Sequence, residues 1–432
     1  MNRWLYVLLL AVPAALIAEG AHAPPLAVFL LAALGLVPLA GLIGTATEAL
    51  AERVGPKVGG LLNATFGNAA EIIIGLTALA AGLTDVVRAS IAGSIIGNSL
   101  LVLGTAMLAG GWRYGRQLFD ARTAGHYASM LALVVVGMAI PSLLATIGEG
   151  GRPGAQTVRG LELHELSLGV AVILLVCYVA YIAFSIFGVR AGPRQHILEI
   201  HGGADGEDEG GAAEPASLPH KSIQQSRTYG GVRAGAREIE QGKEQDKEQD
   251  KEQDKRKRGM PQRERDPQAL MARLAHSWET NMWLPVALLA GVTALTAVVS
   301  EALVGAIEPV TEEVGLSPFF VGLIVLPIVG NAAEHFTAIT MATRDHMEVA
   351  MAITAGSSIQ IALLAAPVLV FAGAIMGQPL DLNFTLLEVA IFGLVAGLYA
   401  LISLDGESTW LEGLLLLAFY AILAVGTFFT PA

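Results

Sequence analysis

The apolar positions of this chain gather into about eleven stretches, near 4–19, 25–47, 59–82, 87–109, 125–147, 166–188, 281–306, 317–343, 347–375, 383–403 and 410–429. A helix needs roughly 17–25 such residues to cross the hydrocarbon core of a bilayer. The pattern therefore predicts an all-α integral membrane protein with about 11 transmembrane helices. The first stretch has two readings. Arg3, the apolar run and Ala21-His22-Ala23 spell a cleavable signal peptide with an A-x-A site. A retained leading helix is the favoured alternative, because a polytopic chain can use its first span as an uncleaved signal.

Sliding the chain against itself by 263 positions aligns Gly67-Asn68-Ala69-Ala70-Glu71 with Gly330-Asn331-Ala332-Ala333-Glu334. The same offset aligns Gly93-Ser94 with Gly356-Ser357, Ile96 with Ile359 and Leu100 with Leu363. Asn occurs seven times in the chain, and two copies stand at this equivalent point, so chance is a poor explanation. Upstream, Thr47-Glu48-Ala49-Leu50 matches Ser300-Glu301-Ala302-Leu303 after an insertion, and Glu48 with Glu308 is a competing register. Each repeat spans five helices, an odd number, so the second copy enters the membrane from the opposite side and the repeats are inverted. Inverted repeats are the usual basis of alternating access, with the site at the repeat interface near the midplane. The expected division is a leading helix over 1–24, a first five-helix repeat over 25–188, a charged cytoplasmic linker over 189–275 and a second five-helix repeat over 276–432.

Composition sharpens this picture. Hydrophobic residues make up 54% and charged residues 15%, which suits a bilayer protein rather than a string of soluble domains. Cys177 is the single cysteine, which excludes a disulfide framework and any cysteine-based metal site. Residues 189–275 hold 16 Lys/Arg and 16 Asp/Glu, so the formal charge of -12 belongs to the membrane part, with 22 acids against 10 bases. Acidic excess beside apolar helices favours a cation as cargo. Among the short loops, Arg3, Arg53, Lys57, Arg113, Arg116, Arg122 and Arg344 share one side, against Arg88, Arg152 and Arg159 on the other. By the positive-inside rule the N-terminus and linker are cytoplasmic, and the expected location is the plasma (inner) membrane. In the linker, Lys243 to Asp254 repeats Lys-Glu-Gln-Asp three times before Lys255-Arg256-Lys257-Arg258. It reads as a solvated tether, with a regulatory role as the alternative: the basic run meeting anionic lipid, or Asp205 to Glu209 concentrating cations.

Glu71 and Glu334 are expected well inside helices, where a charge costs at least about 2.5–3.5 kcal/mol. Protonation or a bound cation must offset that cost, and a proton-coupled carrier would use both in turn. Asn68 and Asn331 each precede their Glu by three positions, on one helical face. Ser94, Ser357 and Gln360 can add further oxygens. An all-oxygen set suits a hard divalent cation, Ca²⁺ above all, whereas Zn²⁺ and Cu²⁺ recruit Cys or clustered His. Gly67 and Gly330 serve either helix packing or exposure of a backbone carbonyl. His335 has Ile72 as its counterpart, and it reads either as a packing histidine or as a proton relay. Glu48 and Glu301 sit near helix ends, as solvated carboxylates or as cation-access residues, and Glu308, Glu312 and Glu313 read as a solvated face. His164-Glu165 is not a zinc motif, since Leu-Ser-Leu follows. No phosphate-binding loop is visible in the sequence, which disfavours ATP-driven pumping.

The runs Leu61-Leu62-Asn63-Ala64-Thr65-Phe66-Gly67-Asn68-Ala69-Ala70-Glu71 and Leu326-Pro327-Ile328-Val329-Gly330-Asn331-Ala332-Ala333-Glu334-His335 resemble the two signature regions of the calcium/proton exchanger (CAX) family of the cation/calcium antiporter superfamily. The resemblance covers about Gly41 to Gly110 and Ser300 to Val370, and the linker departs from it by lacking a compact acidic stretch. It implies one leading helix plus two inverted five-helix repeats, with Ca²⁺ held between the signature helices. Ligand roles would fall on Glu71 and Glu334, supported by Asn68, Asn331, Ser94, Ser357 and Gln360. The expected activity is exchange of cytoplasmic Ca²⁺ for external H⁺, with no enzyme activity and no cofactor. The expected partners are Ca²⁺, protons and the lipid bilayer, with no nucleic acid, and the sequence fixes no oligomeric state. Sodium/calcium exchange is the nearest rival; the sodium-coupled families resemble one another in Gly-Thr-Ser signatures, where this chain has Gly-Asn-Ala. A channel or a membrane enzyme fits less well, because the repeats are inverted and no nucleophile–base pair stands beside the acids.

Overall fold

The structure, a computed structural model, describes residues 7–147, 161–187 and 283–429. The linker, with its tether and regulatory readings, lies outside the described residues, as do Arg152 and Arg159. With no water in the hydrocarbon core, a spanning segment must satisfy its own backbone, and these apolar runs do so as helices. In chain order they are α1 (Ala11–Gly20), α2 (Pro25–Val54), α3 (Pro56–Phe66), α4 (Ala69–Ala80), α5 (Thr84–Tyr114), α6 (Ala121–Ile147), α7 (Leu161–Phe187), α8 (Trp283–Gly305), α9 (Ile307–Val314), α10 (Pro318–Gly330), α11 (Ala332–Ala342), α12 (Met347–Met376), α13 (Leu386–Ile402) and α14 (Trp410–Phe428). Taking α3 with α4 and α10 with α11 as broken spans, and α9 as the extramembrane sequel of α8, these make one leading helix and two five-helix repeats.

The inverted relation shows in how elements pack. Helix α2 lies against its counterpart α8, and α6 against its counterpart α13. The pairing of α4 with α12 is returned by α11 with α5, and that of α5 with α14 by α12 with α7. A π-helical turn interrupts α5 at Asn98–Val102 and α12 at Ile361–Ala365, each 263 positions from the other. The upstream register settles as well. Glu48 and Glu301 lie within the last two turns of α2 and α8, whereas Glu308 falls in the separate helix α9.

Short polar contacts tie loops on the same membrane face. Two three-residue strands, β1 (Arg116–Leu118) and β2 (Glu407–Thr409), pair antiparallel with Gln117 opposite Ser408. They join the α5–α6 and α13–α14 connections, and an exposed Arg116–Glu407 ion pair at 2.7 Å flanks them. Glu407 holds the Arg116 guanidinium above its ordinary pKa by accepting its hydrogen bond. Gln117 is buried and donates Nε2 to the Ala342 carbonyl and to Asp345 Oδ1, both at 2.9 Å. This clasp holds the C-terminal end of α11, where Asp345 takes a left-handed conformation with φ 64°. Gln117→Leu leaves those acceptors without their donor, and is expected to cost about 1–3 kcal/mol, read as a lower melting temperature in detergent. On the opposite face, Arg88 Nε donates to the Asp381 carbonyl and His164 Nδ1 lies 3.0 Å from Asp381 Oδ1. Both sets join loops that an alternating count of crossings places on one side.

Candidate functional site

The repeated motif breaks both of its spans. Asn68 (φ -106°, ψ 26°) separates α3 from α4, and Asn331 (φ -86°, ψ 14°) separates α10 from α11, which bend by 58°. Glu71 and Glu334 therefore stand in the first turn of a half-helix rather than deep within a continuous one. That position matters energetically, because free backbone N–H groups and the positive end of the helix dipole favour an anion there. The two half-helices meet closely. A Cβ added to Gly330 would lie 3.2 Å from Glu71 Cγ, a tight contact that would press on the Glu71 side chain.

Glu71 is sealed. Both of its carboxylate oxygens are buried and have no hydrogen-bond partner among the described residues. A carboxylate in that setting needs a proton or a cation. Glu334 instead lines a cavity of about 850 Å³ that also touches Gly67, Ala70 and Gly330, and that runs between α2 and α11 past Thr337 and Thr340. Glu48 and Glu52 line it from α2 and Arg344 from the end of α11, on the face that carries β1 and β2. Glu301 is exposed and does not line this cavity. The Glu71 and Glu334 carboxylates are within electrostatic reach of each other.

The amides divide unequally. Asn68 Nδ2 donates to Gln360 Oε1 at 2.6 Å, Ser357 Oγ donates to Asn68 Oδ1 at 3.1 Å, and Asn98 Nδ2 donates to Ser357 Oγ at 2.9 Å. This chain links α5, the first motif and α12 through Asn98 rather than Ser94, which is buried one turn earlier. Ser99 and Ser358 lie alongside at 3.3 Å. Asn331 has both side-chain polar atoms buried without a partner among the described residues. For the amide nitrogen the reason lies in the sequence: at the 263 offset Gln360 corresponds to Gly97, which has no side chain to offer. In this conformation the Asn68 amide is spoken for, and the Asn331 amide is open to whatever occupies the site. Gln360→Leu strands Asn68 Nδ2 and is expected to cost about 1–3 kcal/mol, seen as a lower melting temperature of the purified protein.

His335 Nδ1 lies 2.7 Å from the Asn331 carbonyl, an acceptor, so Nδ1 carries the proton. Nε2 is buried without a partner among the described residues. Among the described residues no group of three or more His, Cys, Asp and Glu side chains gathers to hold a metal. The site is two carboxylates with amides and hydroxyls, suited to a cation in passage. Asn98 is the member that sequence reading passes over. Its signal was its place four residues after Ser94 within an otherwise apolar run.

Broken helices presenting carboxylates at the interface of two inverted repeats, beside a one-sided cavity, define a polytopic membrane protein of the secondary-carrier class. The chain belongs to the sodium/calcium exchanger protein family, whose profile matches residues 24–187 and 284–429, and the resemblance to its calcium/proton exchanger (CAX) members is borne out by its relatives. It is 40% identical over 404 residues to a Ca²⁺/H⁺ antiporter of Synechocystis sp., covering 94% of this chain and 91% of that protein. It is 33% identical to the Ca²⁺/H⁺ antiporter ChaA of Bacillus subtilis, covering 99% of both chains. Among solved structures it resembles native YfkE with a TM-score of 0.69 at 30% identity, covering 99% of this chain and 100% of that one. A structure of the H⁺/Ca²⁺ exchanger CAX shares the fold with a TM-score of 0.63 at 15% identity, covering 98% of this chain and 87% of that one.

Proposed function

We propose that this protein is a secondary transporter that exchanges cytoplasmic Ca²⁺ for external H⁺ by alternating access, with Glu71 and Glu334 shared by the two ions. The observation that carries the reading is the pairing of a sealed, partnerless carboxylate at Glu71 with a cavity-lining one at Glu334, both on half-helix N-termini that meet at Gly330. Two carboxylates with one Ca²⁺ sum to no net charge, as do two carboxylates with two protons. Either load removes the cost of carrying bare charge through the low-dielectric seam. Oxygen donors from Asn331, with Asn68, Ser94, Ser357 and Gln360 around them, suit Ca²⁺, whose shell is large and irregular. Two of the relatives described above bear the name Ca²⁺/H⁺ antiporter, which supports transport rather than enzymatic turnover and protons rather than sodium as counter-ion.

In the orientation set by the basic loops, the open cavity faces the cytoplasm of a plasma-membrane protein, and Glu48 with Glu52 would draw cations into it. His335 would pass protons through its unpartnered Nε2. The same reading keeps the leading helix at 1–24, the repeats at 25–188 and 276–432, and 189–275 as a cytoplasmic linker. Reconstituted vesicles decide the counter-ion. Ca²⁺ uptake is expected to follow an imposed pH gradient without sodium, and to ignore a sodium gradient at clamped pH. Uptake driven by sodium alone would overturn the proposal in favour of sodium/calcium exchange.

A further inference from the structure

The cavity that reaches Glu334 is larger than an inorganic ion requires. At about 850 Å³ it exceeds many times over the ~30 Å³ that one water molecule occupies in the liquid. Its acids are strung out rather than gathered. Glu334 stands at the inner end and Glu48 and Glu52 at the mouth, and among the described residues no three His, Cys, Asp or Glu side chains converge to hold a metal. The wall they share is more apolar than polar, with Ile43, Phe66, Phe336 and Ile353 among its residues. A hydrated divalent ion gains little from such a wall, because methyl and phenyl groups cannot replace its oxygen shell.

Glu52 adds a second observation. In the register that matches Glu48 with Glu301 it corresponds to Gly305, so the paired acid belongs to this mouth alone and not to the repeated framework. Glu48 and Glu52 stand one helical turn apart on α2, a like-charge pair that weakens a helix. Both are exposed and neither has an ion-pair partner among the described residues. Arg344, the basic residue on the cavity lining, forms no ion pair with either. Two negative charges about 6 Å apart along a helix, a third deeper in, and apolar surface beside them complement a flexible aliphatic chain with ammonium groups at three- and four-carbon spacing.

We propose that this cavity binds a linear polyammonium ion of the spermidine class. Two ammonium groups meet Glu48 and Glu52 at the mouth, the leading one points to Glu334, and the methylenes lie along the apolar wall. Each exposed ammonium–carboxylate pair is weak alone, but on one chain the first contact raises the effective concentration of the next. Burial of the methylenes adds a contribution that no inorganic cation can make. A bound polyamine stands in the path of any ion moving to Glu334. On the transport reading above it therefore acts as a brake on Ca²⁺ entry, whereas the binding itself does not depend on that reading.

Protection of a cavity thiol tests the binding where it is placed. In a Cys177→Ser background, needed because Cys177 is exposed, Thr340→Cys puts one thiol on the cavity lining. A small neutral thiol reagent reports its accessibility without being drawn or repelled by the acids. Spermidine is expected to slow this labelling roughly tenfold more than propylamine does at equal ionic strength. Glu48→Gln and Glu52→Gln together are expected to remove most of that protection. Glu301→Gln, at an exposed acid that does not line the cavity, is expected to keep it. The proposal is overturned if spermidine protects no better than propylamine, or if the paired glutamine protein is protected as fully as its parent. Protection in a protein whose vesicles move no Ca²⁺ against protons would uphold the polyamine site and overturn the exchanger reading, and exchange without protection would do the reverse.

Discussion

Glu71→Gln and Glu334→Gln are each expected to reduce Ca²⁺-dependent proton movement in vesicles to the level of protein-free controls. Glutamine keeps the size and the oxygen but cannot carry the charge. A Ca²⁺ facing one carboxylate leaves an uncompensated positive charge in the membrane, at a cost of at least about 2.5–3.5 kcal/mol. That alone is roughly a 100-fold loss. The proton half of the cycle fails as well, because glutamine has no exchangeable carboxyl proton to deliver. Glu48→Gln and Glu301→Gln are expected to retain exchange at reduced rate, since those side chains are exposed and stand outside the sealed site. Normal exchange in either the Glu71→Gln or the Glu334→Gln protein would remove the corresponding carboxylate from the mechanism.

Gly93→Ala is expected to be the most damaging single-methyl change among the glycines at the site. Its Cβ would meet the Leu323 carbonyl oxygen and the ring of Pro327, neither of which can rotate aside. Helix α5 would have to lift from α10, at an overpacking cost of about 1–3 kcal/mol. Because α5 carries Asn98 into the amide chain with Ser357 and Asn68, the displacement also reaches the first motif. The matched control is Gly356→Ala, the same chemical change at the equivalent position, where no atom lies within 4 Å. Its melting temperature in detergent is expected to stay close to the parent's, while that of Gly93→Ala falls. Equal melting temperatures for the two would mean that the α5–α10 crossing has room for a methyl group at Gly93.

Much of this architecture is legible in the chain because the bilayer simplifies the problem. Apolar run length alone locates the spans, and the stretch expected near 25–47 is realised as Pro25–Val54, extended at its polar end through Glu48, Glu52 and Arg53. The repeat is legible because inverted halves keep the same residues at the same offset. The break at Asn68 and Asn331 is not legible, since Gly-Asn-Ala-Ala-Glu holds no proline and reads as a continuous helix of small residues. The conformation is set by side chains brought in from elsewhere: Gln360 and Ser357 hold the Asn68 amide from α12. The asymmetry of the site is equally invisible in one dimension. Glu48 and Glu301 look alike as sequence, yet of the two only Glu48 lines the cavity that reaches Glu334. Strands β1 and β2 escape notice because three residues at a helix end carry no readable alternation.

The central claim is that Ca²⁺ and protons occupy the same two carboxylates. Calorimetric titration of the purified protein with Ca²⁺, repeated in buffers of different ionisation enthalpy, counts the protons released per ion bound. Ca²⁺ binding is expected to release protons, and that release is expected to fall in the Glu71→Gln and Glu334→Gln proteins. Ca²⁺ binding at full strength with no proton release in any buffer would contradict it.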